Sequence, residues 1–181
     1  LIGVIGNKAE CEKIKADVTQ FMQEKLKLEM SQEKTLITNA QDSAKFLGYE
    51  ISVRKDYTTQ KNARGETRRH RNGNVILHVS REVIKKKLLS LEAMNVKTRN
   101  GKEVRSSKGR TYLIDNEPQD IVARFNTEIR GFYNYYSIAN NASALGRSFG
   151  CIMRFSMLKT FAQKLNSSVR TITNKYREDD K

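Results

Sequence analysis

The chain is poor in the residues that mark several classes of protein. It has no tryptophan, one proline and two cysteines among 181 residues. Cys11 and Cys151 lie far apart among apolar helical positions, which predicts reduced, buried thiols in a cytoplasmic protein rather than a disulfide framework. His70 and His78 complete no zinc-ligand spacing with them. The low proline content is typical of an ordered, largely helical chain.

The sequence also lacks long apolar runs and a recognisable catalytic centre. No run approaches the roughly 20 apolar residues that cross a bilayer, so no membrane partner is expected. Chemistry at two metal ions needs carboxylates that hold the ions within about 4 Å of each other. Glu10 and Glu12 lie on a helix flank, and Asp179 and Asp180 lie in a polar tail. We therefore expect no catalytic residue, no metal site and no bound cofactor in this chain.

What the chain has in excess is positive charge, and this charge is concentrated. Residues 1–53 hold 7 Lys and Arg against 8 acidic residues, whereas residues 54–110 hold 17 against 5. Residues 111–181 hold 10 against 7. A concentrated positive field attracts polyanions and speeds their capture, which favours a nucleic-acid partner. A basic loop that binds nothing in particular remains the alternative.

The hydrophobic pattern changes along the chain and predicts an α+β fold. Alternation predicts strands at residues 1–5, 34–38, 46–53 and 74–79, and 3-4 spacing predicts a helix over residues 8–28. Residues 56–74 have no apolar period and predict a flexible loop or a ragged hairpin. We expect a small sheet edge with one packed helix in residues 1–54, a basic linker in residues 55–79 and a helical bundle in residues 80–181.

The bundle is predicted from capping and turn signals. Ser80 is a good N-cap for a helix over residues 81–94. Asn100-Gly101 predicts a tight turn, and residues 102–110 are expected to be irregular. Pro118 suits the first turn of a helix that reaches residue 139. Further helices are predicted over residues 144–165, with Ser143 as N-cap, and from Ser167 or Ser168 to residue 176.

One heptapeptide, Arg130 to Tyr136, carries four of the fourteen aromatic rings beside an arginine. Polar-tipped rings next to a planar cation suit contact with bases and phosphates. However, Phe132 and Tyr136 also continue an apolar stripe of 3-4 spacing that begins at Ile121. We expect the stripe to be core, and the off-stripe residues to face RNA or a neighbouring helix. The off-stripe residues are Arg130, Tyr133, Asn134 and Tyr135.

Several motifs, in order, resemble those of one family. Arg-Gly-x-x-Asn-Tyr-Tyr at residues 130–136 is similar to the maturase region, or domain X, of group II intron reverse transcriptases. Ser-Gln-Glu-Lys-Thr at residues 31–35 and Phe-Leu-Gly-Tyr at residues 46–49 resemble the last conserved blocks of that family's polymerase domain. Leu158-Lys159-Thr160 and Lys175-Tyr176 resemble later domain X positions. The resemblance covers nearly the whole chain and is weakest over residues 56–74.

The resemblance implies functions that composition alone does not. In such enzymes a segment like residues 1–6 follows the metal-binding Tyr-Ala-Asp-Asp motif, so the Mg²⁺ ligands of the parent enzyme are expected upstream of this chain. Phe46, Leu47, Gly48 and Tyr49 are implied to form the primer grip. There Gly48 would let a sugar-phosphate backbone come close. The implied partners are group II intron RNA, an RNA template with its DNA primer, and the fingers and palm of the same protein.

Two functions follow as expectations. The first is the end of the palm plus thumb of a group II intron reverse transcriptase/maturase, which binds intron RNA and supports RNA-directed DNA synthesis. The second is a non-catalytic RNA-binding splicing factor derived from such a protein. In both, a set of cationic and polar side chains is predicted to contact nucleic acid: Arg54, Lys55, Arg64, Arg68, Arg69, Arg71, Lys85, Lys86, Arg99, Arg105, Arg110, Arg130, Tyr133, Asn134, Arg147 and Arg154.

Overall fold

A computed structural model of the chain describes residues 1–55, 58–69 and 73–176. The fold is α+β, as predicted. The helices are α1 (Lys8–Leu26), α2 (Arg81–Ser90), α3 (Pro118–Tyr135), α4 (Ala142–Leu145), α5 (Cys151–Lys164) and α6 (Val169–Lys175). The strands are β1 (Ala44–Phe46), β2 (Tyr49–Val53), β3 (Thr59–Lys61), β4 (Thr67–Arg69), β5 (Val75–Val79), β6 (Met94–Arg99) and β7 (Lys102–Ser107).

The described strands form three small sheets. One has the order β1-β2-β5, and the antiparallel hairpins β3–β4 and β6–β7 form the others. The hairpin predicted as one alternative for the basic stretch is thus confirmed in β3–β4. Asn100 and Gly101 have φ of 51° and 71° and turn β6 into β7, which confirms the tight turn. The prediction that residues 102–110 are irregular is wrong, because β7 pairs along its length with β6. Strand β7 is exposed on both faces, so its sequence shows no alternation of apolar and polar residues.

The chain divides into two compact units. The first consists of Leu1–Leu47 and Ile51–Val75, and the second of Gly48–Glu50 and Ile76–Lys181. In the first unit α1 begins with a capping box, in which the Asn7 side chain accepts from the Glu10 amide and the Glu10 carboxylate accepts from the Asn7 amide. The helix has no buried residue. Its apolar positions are at best half-buried within this chain.

Three strand predictions for the first unit are corrected. Residues 1–5 form no strand, and Leu1 and Ile5 are exposed. Residues 34–38 follow a turn and are not extended into a ladder. The strand predicted over residues 46–53 is interrupted by a turn at Leu47-Gly48. An apolar run becomes a strand only where a neighbouring strand satisfies its backbone groups, and a pattern read along one segment does not identify that neighbour.

The core of the second unit is built on α3. Ile121, Phe125, Phe132 and Tyr136 of the predicted stripe are buried. The Phe132 ring stacks on Phe149 with centroids 4.1 Å apart. Burial along this stripe explains why the segment is helical: its 3-4 spacing places the large side chains on one face. The stripe is confirmed as core.

Helix boundaries in the second unit differ from prediction by a few residues. The caps at Ser80 and Ser168 are confirmed, whereas the N-cap of α4 is Asn141 rather than Ser143. Helix α2 stops at residue 90 because the chain reverses at residues 91–93 and enters β6. Helix α3 stops at residue 135, and a π-helical segment, Gly146–Gly150, separates α4 from α5. Cys11 is half-buried and Cys151 exposed, so the prediction that both thiols are buried is wrong.

Candidate nucleic-acid interface

The Phe-Leu-Gly-Tyr motif forms a tight hairpin turn. Leu47 and Gly48 connect β1 to β2 with φ of 50° and 82°, the left-handed pair that two-residue hairpin turns require. Glycine adopts this conformation freely, whereas a leucine there costs about 1–2 kcal/mol. The Leu47 side chain is 65% exposed, so burial does not offset that cost. Backbone strain of this kind is enriched at functional sites, although Lys27, Glu92, Asn100 and Asn166 in this chain also have positive φ.

Three tyrosines pack together where β2 begins and α3 ends. The Tyr49 hydroxyl donates to the Tyr135 carbonyl at 2.5 Å. The Tyr49 ring stacks on Tyr135, with centroids 6.2 Å apart, and meets Tyr136 edge-on at 5.2 Å. Burial, followed by the neighbouring tyrosines, raises the pKa of both Tyr49 and Tyr136, so both remain neutral hydroxyls at physiological pH. We call Tyr49, Tyr135 and Tyr136 the tyrosine cluster.

The tyrosine cluster is one reason why position 48 requires a glycine. A Cβ built on Gly48 would overlap the Tyr136 hydroxyl, and the ring atoms Cζ and Cε1 would lie 3.3 and 3.4 Å away. The sequence suggested that Gly48 leaves space for a nucleic-acid backbone. In the structure a protein side chain occupies the Cβ side of this residue. The resemblance placed Tyr49 in the motif but gave no sign that it binds residues 86 positions further along the chain.

Of the four off-stripe residues of α3, Tyr135 belongs to the tyrosine cluster and the other three do not. Arg130, Tyr133 and Asn134 are exposed, and the Tyr133 side chain retains 46% of its accessible surface. Their exposure leaves a guanidinium, a phenol and an amide available on one helix. Those groups can contact phosphates, bases and ribose hydroxyls.

Most of the predicted cationic residues are exposed. Arg71 lies outside the described residues, as do the side chains of Arg68 and Arg69 in β4. The exposed cations of the predicted set are Arg54, Lys55 and Arg64 in the first unit, and Lys86, Arg99, Arg105, Arg130, Arg147 and Arg154 in the second. Arg147 stands in the π-helical segment, a type of helix that is frequent at functional sites.

Lys85 and Arg105 are partly neutralised by one carboxylate. Glu103 accepts from the Lys85 ammonium and, at 2.7 Å, from Arg105 Nε. Hydrogen bonds from Lys85 and then Arg105 lower the pKa of Glu103 below its usual value. The Lys85 side chain is only 21% exposed. These two cations therefore contribute less field to a ligand than the exposed Lys86.

Arg110 is not a nucleic-acid contact, and its prediction is wrong. Its side chain is fully buried, pairs with Glu128 at 2.6 Å and lies 4.2 Å from the Phe125 ring centroid. A second hydrogen bond reaches the Met153 sulfur. Position within a basic stretch suggested exposure, but the chain here passes between α3 and α5.

The segment around Arg110 is fixed by the Leu-Lys-Thr motif. Lys159 Nζ donates to the Ser107 carbonyl at 2.7 Å, and the Thr160 hydroxyl accepts from the Arg110 amide at 2.9 Å. Ser156 donates to the Lys108 carbonyl. This motif, which the resemblance singled out, thus acts here as a structural fastening.

Two adjacent asparagines that follow α3 pair with the edge of β5. Asn141 accepts from the Val79 amide and donates to the Val79 carbonyl, both at 3.0 Å. The Asn140 side chain accepts from the Leu77 backbone N–H through Oδ1, and the Asn140 backbone N–H donates to the Leu77 carbonyl, both at 2.8 Å. The pair imitates a neighbouring strand. The sequence signal that could have indicated this contact is the pair of adjacent amide side chains after a long helix.

Within the described part of the chain, no group of three or more His, Cys, Asp or Glu is placed to hold a metal ion. No helix there is both long and apolar enough to span a membrane.

Comparisons with known proteins agree with the motifs. Residues 72–179 match the family model for type II intron maturases. The group II intron-encoded protein LtrA of Lactococcus lactis subsp. cremoris is 34% identical over 91% of this chain, which covers 27% of that protein. The COX1/OXI3 intron 1 and intron 2 proteins of Saccharomyces cerevisiae are 37% and 26% identical over 91% and 97% of the chain, with 20% and 21% of their own lengths covered. The chain thus spans about a quarter of these relatives or less, and it belongs to the type II intron maturase family.

Proposed function

We propose that the chain is the end of the palm and the thumb, or domain X, of a group II intron reverse transcriptase/maturase. In that role it grips the primer–template and binds intron RNA for splicing and RNA-directed DNA synthesis. The domain boundaries we propose remain residues 1–54 for the end of the palm, 55–79 for the basic linker and 80–181 for the thumb.

The observation that carries this proposal is the family match over residues 72–179 together with the exposure of the non-core residues in its central motif. Two residues of the Arg130–Tyr136 heptapeptide, Phe132 and Tyr136, are buried in the core. The remaining guanidinium, phenol and amide face outward with no burial to account for them. An exposed arginine and aromatic ring on a rigid helix suit structured RNA, which is read by its backbone and its unstacked bases.

The proposed polymerase step belongs to the parent protein. We propose no two-Mg²⁺ site in this chain, whose described residues bring no group of three or more His, Cys, Asp or Glu into position to hold a metal ion. We propose that Mg²⁺ is bound by carboxylates of the parent enzyme that lie upstream of this chain. This chain would supply the grip on the primer end and the RNA-binding surface.

The test uses the full-length polypeptide that contains this chain, with its own intron RNA. Three assays are compared: filter binding of intron RNA, splicing of a precursor at low Mg²⁺, and extension of a DNA primer on an RNA template. The proposal expects all three activities. RNA binding and splicing without extension would establish the non-catalytic splicing factor instead, and failure to bind the intron RNA would refute both.

A further inference from the structure

Two motifs that are far apart in sequence meet at one point in the second unit. Gly48 and Tyr49 belong to the same compact unit as α3. Tyr49 and Tyr136 are each only 8% exposed, and Tyr49 is hydrogen-bonded to the backbone of Tyr135. The turn at Leu47-Gly48 is therefore backed by the last turn of a packed helix.

The geometry of the turn is fixed from both sides. On the strand side, a two-residue connection requires left-handed φ at Leu47 and Gly48. On the helix side, the Tyr136 hydroxyl fills the space that a side chain at position 48 would occupy. Leu47 is left projecting at the tip with 65% of its surface accessible. Strain of this kind persists only where the surroundings over-determine it.

We propose that Tyr49 and Tyr136 are positioning residues of the grip turn. They fix Gly48 against the end of α3, so that the maturase helix determines where the turn meets the primer strand. This inference rests on the proposed function, because it assigns a role to the turn in primer placement. A displacement of about 1 Å in a reacting end can cost about 100-fold in rate although no catalytic group is altered.

Two different groups could exclude a side chain at position 48: the Tyr136 hydroxyl or the sugar-phosphate backbone of a bound nucleic acid. If Tyr136 is what excludes a side chain at position 48, then removing its hydroxyl should make Gly48→Ala tolerable. If a sugar-phosphate backbone excludes it, the state of Tyr136 should not matter.

The experiment is a double-mutant cycle in the full-length polypeptide with Gly48→Ala, Tyr136→Phe and the double variant. Primer extension is measured at saturating and limiting primer–template, and intron RNA affinity and melting temperature are measured in parallel. We expect Gly48→Ala to lower the saturated extension rate about 10- to 100-fold. In the double variant, several-fold of that loss should return, and the melting temperature should rise above that of Gly48→Ala. Recovery stays partial because alanine still opposes the φ of 82°.

A gentler variant guards against misfolding of Gly48→Ala. Tyr49→Phe keeps the ring contacts and removes only the hydrogen bond to the Tyr135 carbonyl. We expect a saturated extension rate lower by about 3- to 10-fold, the value of one hydrogen bond, with intron RNA affinity unchanged.

The outcomes separate the two proposals. A wild-type protein that does not extend primers refutes the proposed polymerase function. A wild-type protein that extends primers, with a double variant no better than Gly48→Ala and a fully active Tyr49→Phe, overturns the positioning role alone.

Discussion

Burial separates the arginines of this chain into two groups with different physical roles. Arg110 is fully buried, and its charge is balanced by Glu128, which is itself only 12% exposed. Arg130 is exposed and lies on the outer side of α3. A buried cation must be paired, because removal from water is costly, whereas an exposed one can exchange water for phosphate.

Replacing Arg110 by alanine should destabilise the fold. The change removes the buried partner of the Glu128 carboxylate, which is itself nearly buried. Its remaining partner, Arg124, is 64% exposed and is therefore well screened by water. We expect a loss of about 3 kcal/mol in the free energy of unfolding, measured by urea denaturation. The double variant Arg110→Met, Glu128→Gln should recover part of it, because the charge left without this carboxylate is that of Arg124, which is exposed to water. A stable Arg110→Ala protein that binds RNA weakly would instead return Arg110 to the interface.

Arg130 and Phe132 should give opposite results although they are two residues apart. Phe132→Ala removes a buried ring that stacks on Phe149 and should cost about 3–5 kcal/mol. Arg130→Ala should leave stability within about 0.5 kcal/mol and weaken binding of intron RNA. Arg170→Ala, an exposed arginine on α6, is the matched control for both assays. Early melting of Arg130→Ala with normal affinity would assign that arginine to packing.

At the scale of elements, the sheet edge depends on side chains rather than on another strand. The two asparagines after α3 saturate the amides of Leu77 and Val79 in β5. An unpaired backbone row of this kind would otherwise invite pairing with another chain. This explains why a polar Asn-Asn step follows directly on a long amphipathic helix.

The two asparagines form a matched pair of variants. Asn141→Ala removes both an acceptor and a donor for Val79 in a part-buried position, whereas Asn140→Ala removes one exposed acceptor and keeps the backbone bond to Leu77. We expect Asn141→Ala to cost about 1–3 kcal/mol and Asn140→Ala clearly less. Urea denaturation gives the totals, and amide hydrogen exchange at Val79 locates the effect. Equal costs for the two variants would contradict this role.

The elements that could be predicted from sequence are those whose signal is local. The stripe of α3, the Ser80 cap and the Asn100-Gly101 turn each depend on neighbours within a few residues, and all three are confirmed. Strand β7 was missed because its polar residues alternate with no buried face. The burial of Arg110 and the tyrosine cluster follow no periodicity, because each is decided by residues 15 to 87 positions away along the chain.

At the scale of the whole molecule, some residues of the family motifs make structural contacts within the chain, and others are exposed on its surface. Leu-Lys-Thr secures the Arg110 segment, and the tyrosines secure the hairpin turn. Two exposed arginines, Arg130 and Arg154, lie on α3 and α5, the helices that supply these contacts. A positive field on a rigid support loses little entropy when it binds a polyanion, because the binding groups are already arranged.

The salt dependence of RNA binding should report which lysines supply that field. Each phosphate neutralised by a cation releases counterions, so the slope of log affinity against log salt falls by about 1 when a contacting cation is lost. Lys85 and Lys86 are adjacent on α2, but only Lys85 is held by Glu103, in the cluster that also contains Arg105.

We therefore expect Lys86→Ala to reduce the slope by about 1 and Lys85→Ala to reduce it by less. Glu103→Gln should make the slope steeper, because the Lys85 ammonium then no longer has that carboxylate beside it and is available to a phosphate. In that background, Lys85→Ala should reduce the slope more than it does in the wild type. Titrations of intron RNA at several salt concentrations, with melting curves to confirm folding, provide the measurement. Identical slopes for the two lysine variants, unaffected by Glu103→Gln, would show that α2 lies outside the RNA-binding surface and that the field acts from other elements.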